Sequence, residues 1–309
     1  MPRSRVVITF LAVIATVGPA HAAETLDATP RLAVMSAFAP EWTVLRAAVA
    51  EPREHVVNGT TFVTGKLEGR DVVLLLTGVS MVNAAMASQL TLDRFAVEGI
   101  VFSGIAGGVD PSLRIGDVVV AEQWGQYLEA VFARETEEGW KTPAFLGEPP
   151  FRNHGMIFPW TVSVAREAGA EPEERFWFPV DPGLLESARR AAQGLDLTAC
   201  VRADECLARA PRVVVGGNGV SGQAFVDNAA FRAYVHETFG ARVLDMESAA
   251  VAHVAYANRV PFIAFRSLSD LAGGGEGENQ LGTFFQLAAD NAATVVRAFL
   301  RALPPGVEP

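Results

Sequence analysis

The sequence predicts a single α/β domain whose central sheet is covered on both faces. Apolar runs of strand length alternate with helical stretches from residue 31 onward. The strand candidates are almost continuously apolar, as strands buried on both faces are. Half of the 309 residues are hydrophobic and 19% are charged, which supports a sizeable core and excludes a disordered chain. No repeat, low-complexity segment or clean linker divides the chain. The net charge of −10 argues against a nucleic-acid binder, because no basic surplus exists to neutralise phosphates.

Arg3 and Arg5 precede an apolar run over residues 6–17, broken only by Thr9 and Thr16. That run is shorter than the roughly 20 residues a membrane-spanning helix needs. Ala20-His21-Ala22 places small residues where a signal peptidase reads them. A secretory signal cut after Ala22 is therefore expected, with a periplasmic or secreted product at residues 23–309; a retained N-terminal anchor or a buried helix is the alternative. Removing its two arginines would take the net charge from −10 to −12.

Residues 31–37 read as a buried strand. Residues 60–66 and 71–77 read as two more, joined by the turn Leu67-Glu68-Gly69-Arg70. Residues 78–94 carry Val82, Ala85, Met86 and Leu90 at helical spacing. Residues 99–103 read as a short strand opening into a glycine loop, Gly104-Ile105-Ala106-Gly107-Gly108, and 115–121 as another strand. From about 122 to 181 the pattern is lost, yet Trp124, Trp140, Trp160 and Trp177 argue against a solvated linker. An ordered insertion is expected there, serving as a lid or an oligomer contact. Helices follow at 182–193, 228–239 and 247–258, with strands at 212–215, 242–246 and 261–268. Residues 281–303 form an amphipathic helix, since Gln286, Asp290, Asn291, Arg297 and Arg301 rule out a membrane span.

Ligands in open α/β sheets bind beyond strand ends. Three such ends carry carboxylates: Glu41, Glu247 and Asp270. Glycosidic hydrolysis asks for such a set, with an acid for the leaving group, a base for water and a partner for sugar hydroxyls. Each also has a plainer reading. Glu41 and Glu247 fit first helical turns, favoured there by the helix dipole, and Asp270 fits an N-cap. His253 reads as a core histidine, and the scattered histidines give no metal site. Ser103 and Ser221 lack a His/Asp pattern for acyl transfer. The glycine run lacks nucleotide-phosphate motifs, so no cofactor is expected. In an oxidising compartment Cys200 and Cys206 read as a local disulfide, with two free thiols as the alternative.

The motifs together resemble the nucleoside phosphorylase/nucleosidase superfamily, most closely its 5'-methylthioadenosine/S-adenosylhomocysteine nucleosidases. They are GVSMVNAA at 78–85, SGIAGGVDPSLRIGD at 103–117, SGQAFV at 221–226, DMESAAVAH at 245–253 and PFIAFRSLSD at 261–270, preceded by Ala37 to Glu41. The resemblance implies a three-layer α/β/α domain with a mixed, partly barrel-like sheet. It implies Asp270 as the acid at purine N7, Glu41 as the group that positions and deprotonates water, and Glu247 as acceptor for the ribose hydroxyls. Met246 would pack under the sugar, Phe225 would stack on the purine, and Val226 would offer backbone groups to the base edge. Ser269 and Arg266 would steady the Asp270 loop, and Ile105 would border the substrate. A homodimer is also implied.

Phosphorylases of the superfamily carry cationic phosphate-binding positions that this chain lacks. Its first loop reads Ala-Phe-Ala-Pro-Glu, and Val101-Phe102-Ser103-Gly104 contains no arginine. A phosphate dianion would find no bidentate partner, so water is the expected nucleophile. Gln223 stands where the nucleosidases usually carry an acid. The signal segment, long middle and cysteine pair resemble an exported branch that includes plant bark and vegetative storage proteins. Phosphorolysis and non-catalytic nucleoside binding or storage are the alternatives.

Overall fold

The computed structural model describes residues 25–275 and 277–304. The expected signal segment at 1–22 lies outside the described residues. Twelve strands form one mixed sheet. β1 (Asp27–Ser36) pairs in parallel with β4 (Arg70–Leu76) and with β5 (Phe95–Gly108). β4 continues through β3 (Thr60–Leu67) to β2 (Ala50–Val57) at one edge.

Beyond β5 the sheet branches. One arm runs through β11 (Ala241–Asp245), β10 (Asn218–Ser221), β7 (Gln123–Gln126) and β8 (Trp177–Pro179). The other runs through β12 (Phe262–Asp270), β6 (Val118–Val120) and β9 (Val213–Val215). β12 runs parallel to β5 from Ile100 to Gly107, and β11 pairs antiparallel with its last two residues, Gly107 and Gly108.

All nine residues of β12 and the last six of β1 are buried, which requires cover on both faces. Helices α1 (Ala39–Ala47) and α3 (Pro182–Ala191) pack on α6 (Leu281–Ala302). Helix α2 (Met81–Arg94) packs on α5 (Ser248–Ala257) as a second group, and α4 (Ala229–Phe239) lies on β11. No described helix is long and apolar enough to cross a membrane.

The expected hairpin turn has Glu68 and Gly69 at positive φ, the geometry of a two-residue β-turn between twisted strands. Glu68 is held in this conformation by Arg297 at 2.5 Å and Arg301 at 2.8 Å, both from α6.

Two readings change. The glycine run 104–108 is not a loop: it is the continuation of β5, and it runs alongside β12. The stretch 122–181 is not wholly an insertion, because its ends supply β7 and β8, whose Trp124 and Phe178 are fully buried. Only the middle forms separate two-stranded ribbons. Cys200 and Cys206 are disulfide-bonded across another such ribbon.

Candidate active site

β1 ends at Ser36, and α1 begins with Ala39-Pro40-Glu41. Phe38, at the N-cap, has no side-chain acceptor for the free N–H groups of that helix start. Glu41 fills the role by folding back. Its Oε2 accepts from Ala37 N and Phe38 N, each at 3.0 Å. Its Oε1 accepts from Ile105 N of β5 at 2.8 Å. Glu41 is therefore not a solvated first-turn carboxylate: it is 2% exposed.

Glu247 is the N-cap residue of α5, also buried. Its Oε1 accepts from Ser80 N at 2.9 Å. Ser80 has φ 94°, a conformation costly to a residue with a side chain. That backbone strain sits where a peptide N–H meets the carboxylate.

Asp270 closes β12. A register shift against β5 falls between Leu268 and Asp270, and such bulges re-aim side chains. Its Oδ2 accepts from Ser269 Oγ at 3.0 Å and its Oδ1 from Ala272 N at 2.8 Å. Asp270 caps no helix, since a turn follows it.

These three carboxylates line one cavity of about 210 Å³. Phe225, Val226, Met246, Ser269 and Ile105 share the lining with them. Phe225 is 58% exposed, at the mouth. Arg266 is placed differently from expectation. It does not steady the Asp270 loop but lies fully buried behind the cavity, with Nε 2.7 Å from Asp245 Oδ2 and Nη2 3.4 Å from Glu247 Oε2. Its guanidinium lies 4.2 Å from the Phe102 ring centre.

A model of the Phosphorylase superfamily matches residues 31–301. The chain belongs to that superfamily. The 5'-methylthioadenosine/S-adenosylhomocysteine nucleosidase of Mycobacterium bovis is 31% identical over 271 residues, covering 88% of this chain and 96% of the relative. Bark storage protein B of Populus deltoides is 27% identical over 253 residues, covering 80% and 79%. The solved nucleosidase of Neisseria meningitidis, in complex with methylthio-immucillin-A, superposes with TM-score 0.66 at 25% identity. The match covers 88% of this chain and 99% of that one.

In this superfamily member the described cavity lining holds no Lys or Arg. Burial pushes the Glu41 carboxyl above its ordinary value, against Arg266 and its three N–H donors. Burial raises Glu247 to about 7, with Arg266 opposing and Asp245 reinforcing the shift. Burial likewise raises Asp270 against its hydrogen bonds from Ala272 and Ser269.

Two supporting residues carried no role in the sequence reading. Asp245 accepts from Ser221 Oγ and from the N–H groups of Glu247 and Ser248 at 3.1 Å, so it fixes the start of α5. It sits inside the Asp-Met-Glu-Ser motif, which was its signal. Ser80 had none, because its contact with Glu247 spans 167 positions.

The glycines of β5 make room for these groups. A Cβ on Gly104 would strike Arg266 Nη1 and lie 2.7 Å from Glu41 Oε1. Gly104→Ala is therefore expected to lower kcat by about tenfold or more by displacing this pair. Steady-state kinetics beside a thermal melt checks this; an unchanged kcat in a folded variant would count against the pairing.

Proposed function

We propose that this chain is an exported purine nucleosidase. It hydrolyses the N-glycosidic bond of a nucleoside such as 5'-methylthioadenosine or S-adenosylhomocysteine. The observation that carries the reading is a cavity lined by Glu41, Glu247 and Asp270 with no cation in its described lining.

Breaking the bond leaves a ribosyl centre of oxocarbenium character, which buried carboxylates favour. Asp270, its pKa raised by burial, carries a proton to purine N7 and makes the base a better leaving group. Glu247 accepts hydrogen bonds from the ribose hydroxyls, with Met246 beneath the sugar. Phe225 stacks on the base and Val226 meets its edge.

Glu41 takes a proton from the attacking water. Its burial makes it a stronger base than a solvated carboxylate, while Arg266 and three N–H donors favour its ionised form. One water is consumed. Its hydroxyl goes to the sugar, and the proton accepted by Glu41 replaces, through solvent, the one Asp270 gave away. Phosphate would meet carboxylates and no bidentate cation.

Incubation with methylthioadenosine, S-adenosylhomocysteine, adenosine and inosine, with and without phosphate, tests the reading. Release of free base at a rate independent of phosphate is expected. Strict phosphate dependence would make the protein a phosphorylase, and tight binding without product would make it a storage protein. Export is tested by cell fractionation and by an N-terminus beginning at Ala23. The exposed apolar side chains of Val82 and Met86 on α2, with the exposed Val79 of the cavity lining, support a homodimer.

A further inference from the structure

The turn that follows Asp270 is fastened to the start of α4. Ala272 N donates to Asp270 Oδ1 at 2.8 Å, so the place of the turn sets the place of the carboxyl. Ala272 is fully buried, and its carbonyl accepts from Asn228 N at 3.2 Å. Asn228 is in turn the N-cap of α4, its Oδ1 accepting from Phe231 N at 2.8 Å. Gly273, with φ +83°, lies so close to this helix start that a Cβ there would strike Asn228 N.

Arg232, one turn into α4, holds the same segment from another side. Its Nε donates to Gly108 O at 3.0 Å, at the end of β5. The preceding residue, Gly107, is the one that pairs with Asp270 across the sheet. A Cβ on Gly274 would lie 2.6 Å from both Nε and Cζ of Arg232, so the guanidinium rests against the backbone of that glycine. Only residues without side chains allow so close an approach. Phe225 and Val226 of the cavity lining stand just before the same helix start.

We infer that Arg232 is a positioning residue, clamping the Gly273-Gly274 turn between α4 and the end of β5 and so fixing Asp270 relative to Phe225 and Val226. This rests on the reading of Asp270 as the acid of a nucleosidase. A proton donor must lie within hydrogen-bond reach of the atom it protonates, and a misplacement of about 1 Å can cost about 10²-fold in rate. The clamp meets that demand through the backbone of the turn and leaves the Asp270 side chain facing the cavity.

Arg232→Met removes the donor and the planar group but keeps a long stem. It is expected to lower kcat for base release by about 10²-fold, with KM changed by less than about threefold. Asp270→Asn has no proton to place, so adding Arg232→Met to it should cost less than about threefold more. Gly274→Ala, which displaces the guanidinium without removing it, should repeat both results. Equal losses with and without the acid would mean a general loosening of the fold and would overturn the proposal.

Hydrogen exchange of residues 271–275 reads the clamp without turnover. Ala272 N and Gly274 N are bonded within the turn, and their exchange should quicken in both single variants while β1 stays protected. Unchanged exchange would also overturn the clamp. Quickened exchange in a protein that releases no base would leave the clamp standing and remove the nucleosidase reading.

Discussion

Asp270→Asn is expected to lower base release by roughly 10²–10⁴-fold, the range a positioned general acid contributes. The amide still fits the hydrogen bond from Ala272 N at 2.8 Å, so the turn keeps its anchor. It can approach purine N7 but has no proton to give. The sign of the pH dependence follows from the direction of the shift. Burial raises the Asp270 pKa, so the active protonated form persists above the ordinary carboxylate range and is lost as pH rises through the raised value. The wild-type rate should fall along that alkaline limb, and the residual rate of the variant should lack it. Chromatographic assay of free base, beside a thermal melt showing an intact fold, decides the matter. A folded variant within tenfold of wild type would remove Asp270 from the acid's role.

The site was legible where its residues stand beside recognisable strand ends. Glu41, Glu247 and Asp270 each stand at or just beyond the end of a buried strand; β1, β5 and β12 run parallel to one another, while β11, which leads to Glu247, meets the end of β5 antiparallel at Gly107 and Gly108. Arg266 was misjudged because sequence nearness stood in for spatial nearness. Four residues of strand span about 13 Å, so Arg266 reaches Asp245 and Glu247 on the neighbouring segment instead of Asp270.

The glycines of β5 looked like a loop because composition does not reveal what fills the missing side-chain space. Arg266, Glu41, Leu268 and Ala272 fill it. Strand β2 was missed because its AEPREHVV sequence is charged and mostly exposed, as edge strands often are. The Asn58-Gly59 turn beside it was the signal that could have found it. β7 and β8 are too short for a periodicity to register.

Glu247→Gln should weaken catalysis and strengthen the fold at the same time. The Glu247 carboxyl is raised to about 7 from an ordinary 4.5, first by burial and then by the Asp245 charge, with Arg266 opposing. The folded protein therefore binds this proton more tightly than the unfolded chain does. Its stabilising effect is complete below about pH 4.5 and is lost as pH rises through about 7.

At pH 8 the wild type carries a buried anion that costs up to about 3 kcal/mol, which a neutral isostere does not. The variant should melt close to wild type at pH 5 and several degrees above it at pH 8. Glutamine keeps an acceptor for Ser80 N but loses the anion facing the ribose and the developing positive charge, so kcat/KM should fall by about 10²-fold or more. Melts at both pH values and kinetics on the same preparations test the two halves together. A stability gap that does not widen with pH would mean that Glu247 is ionised in the folded protein at pH 5, leaving Arg266 as the dominant influence on it.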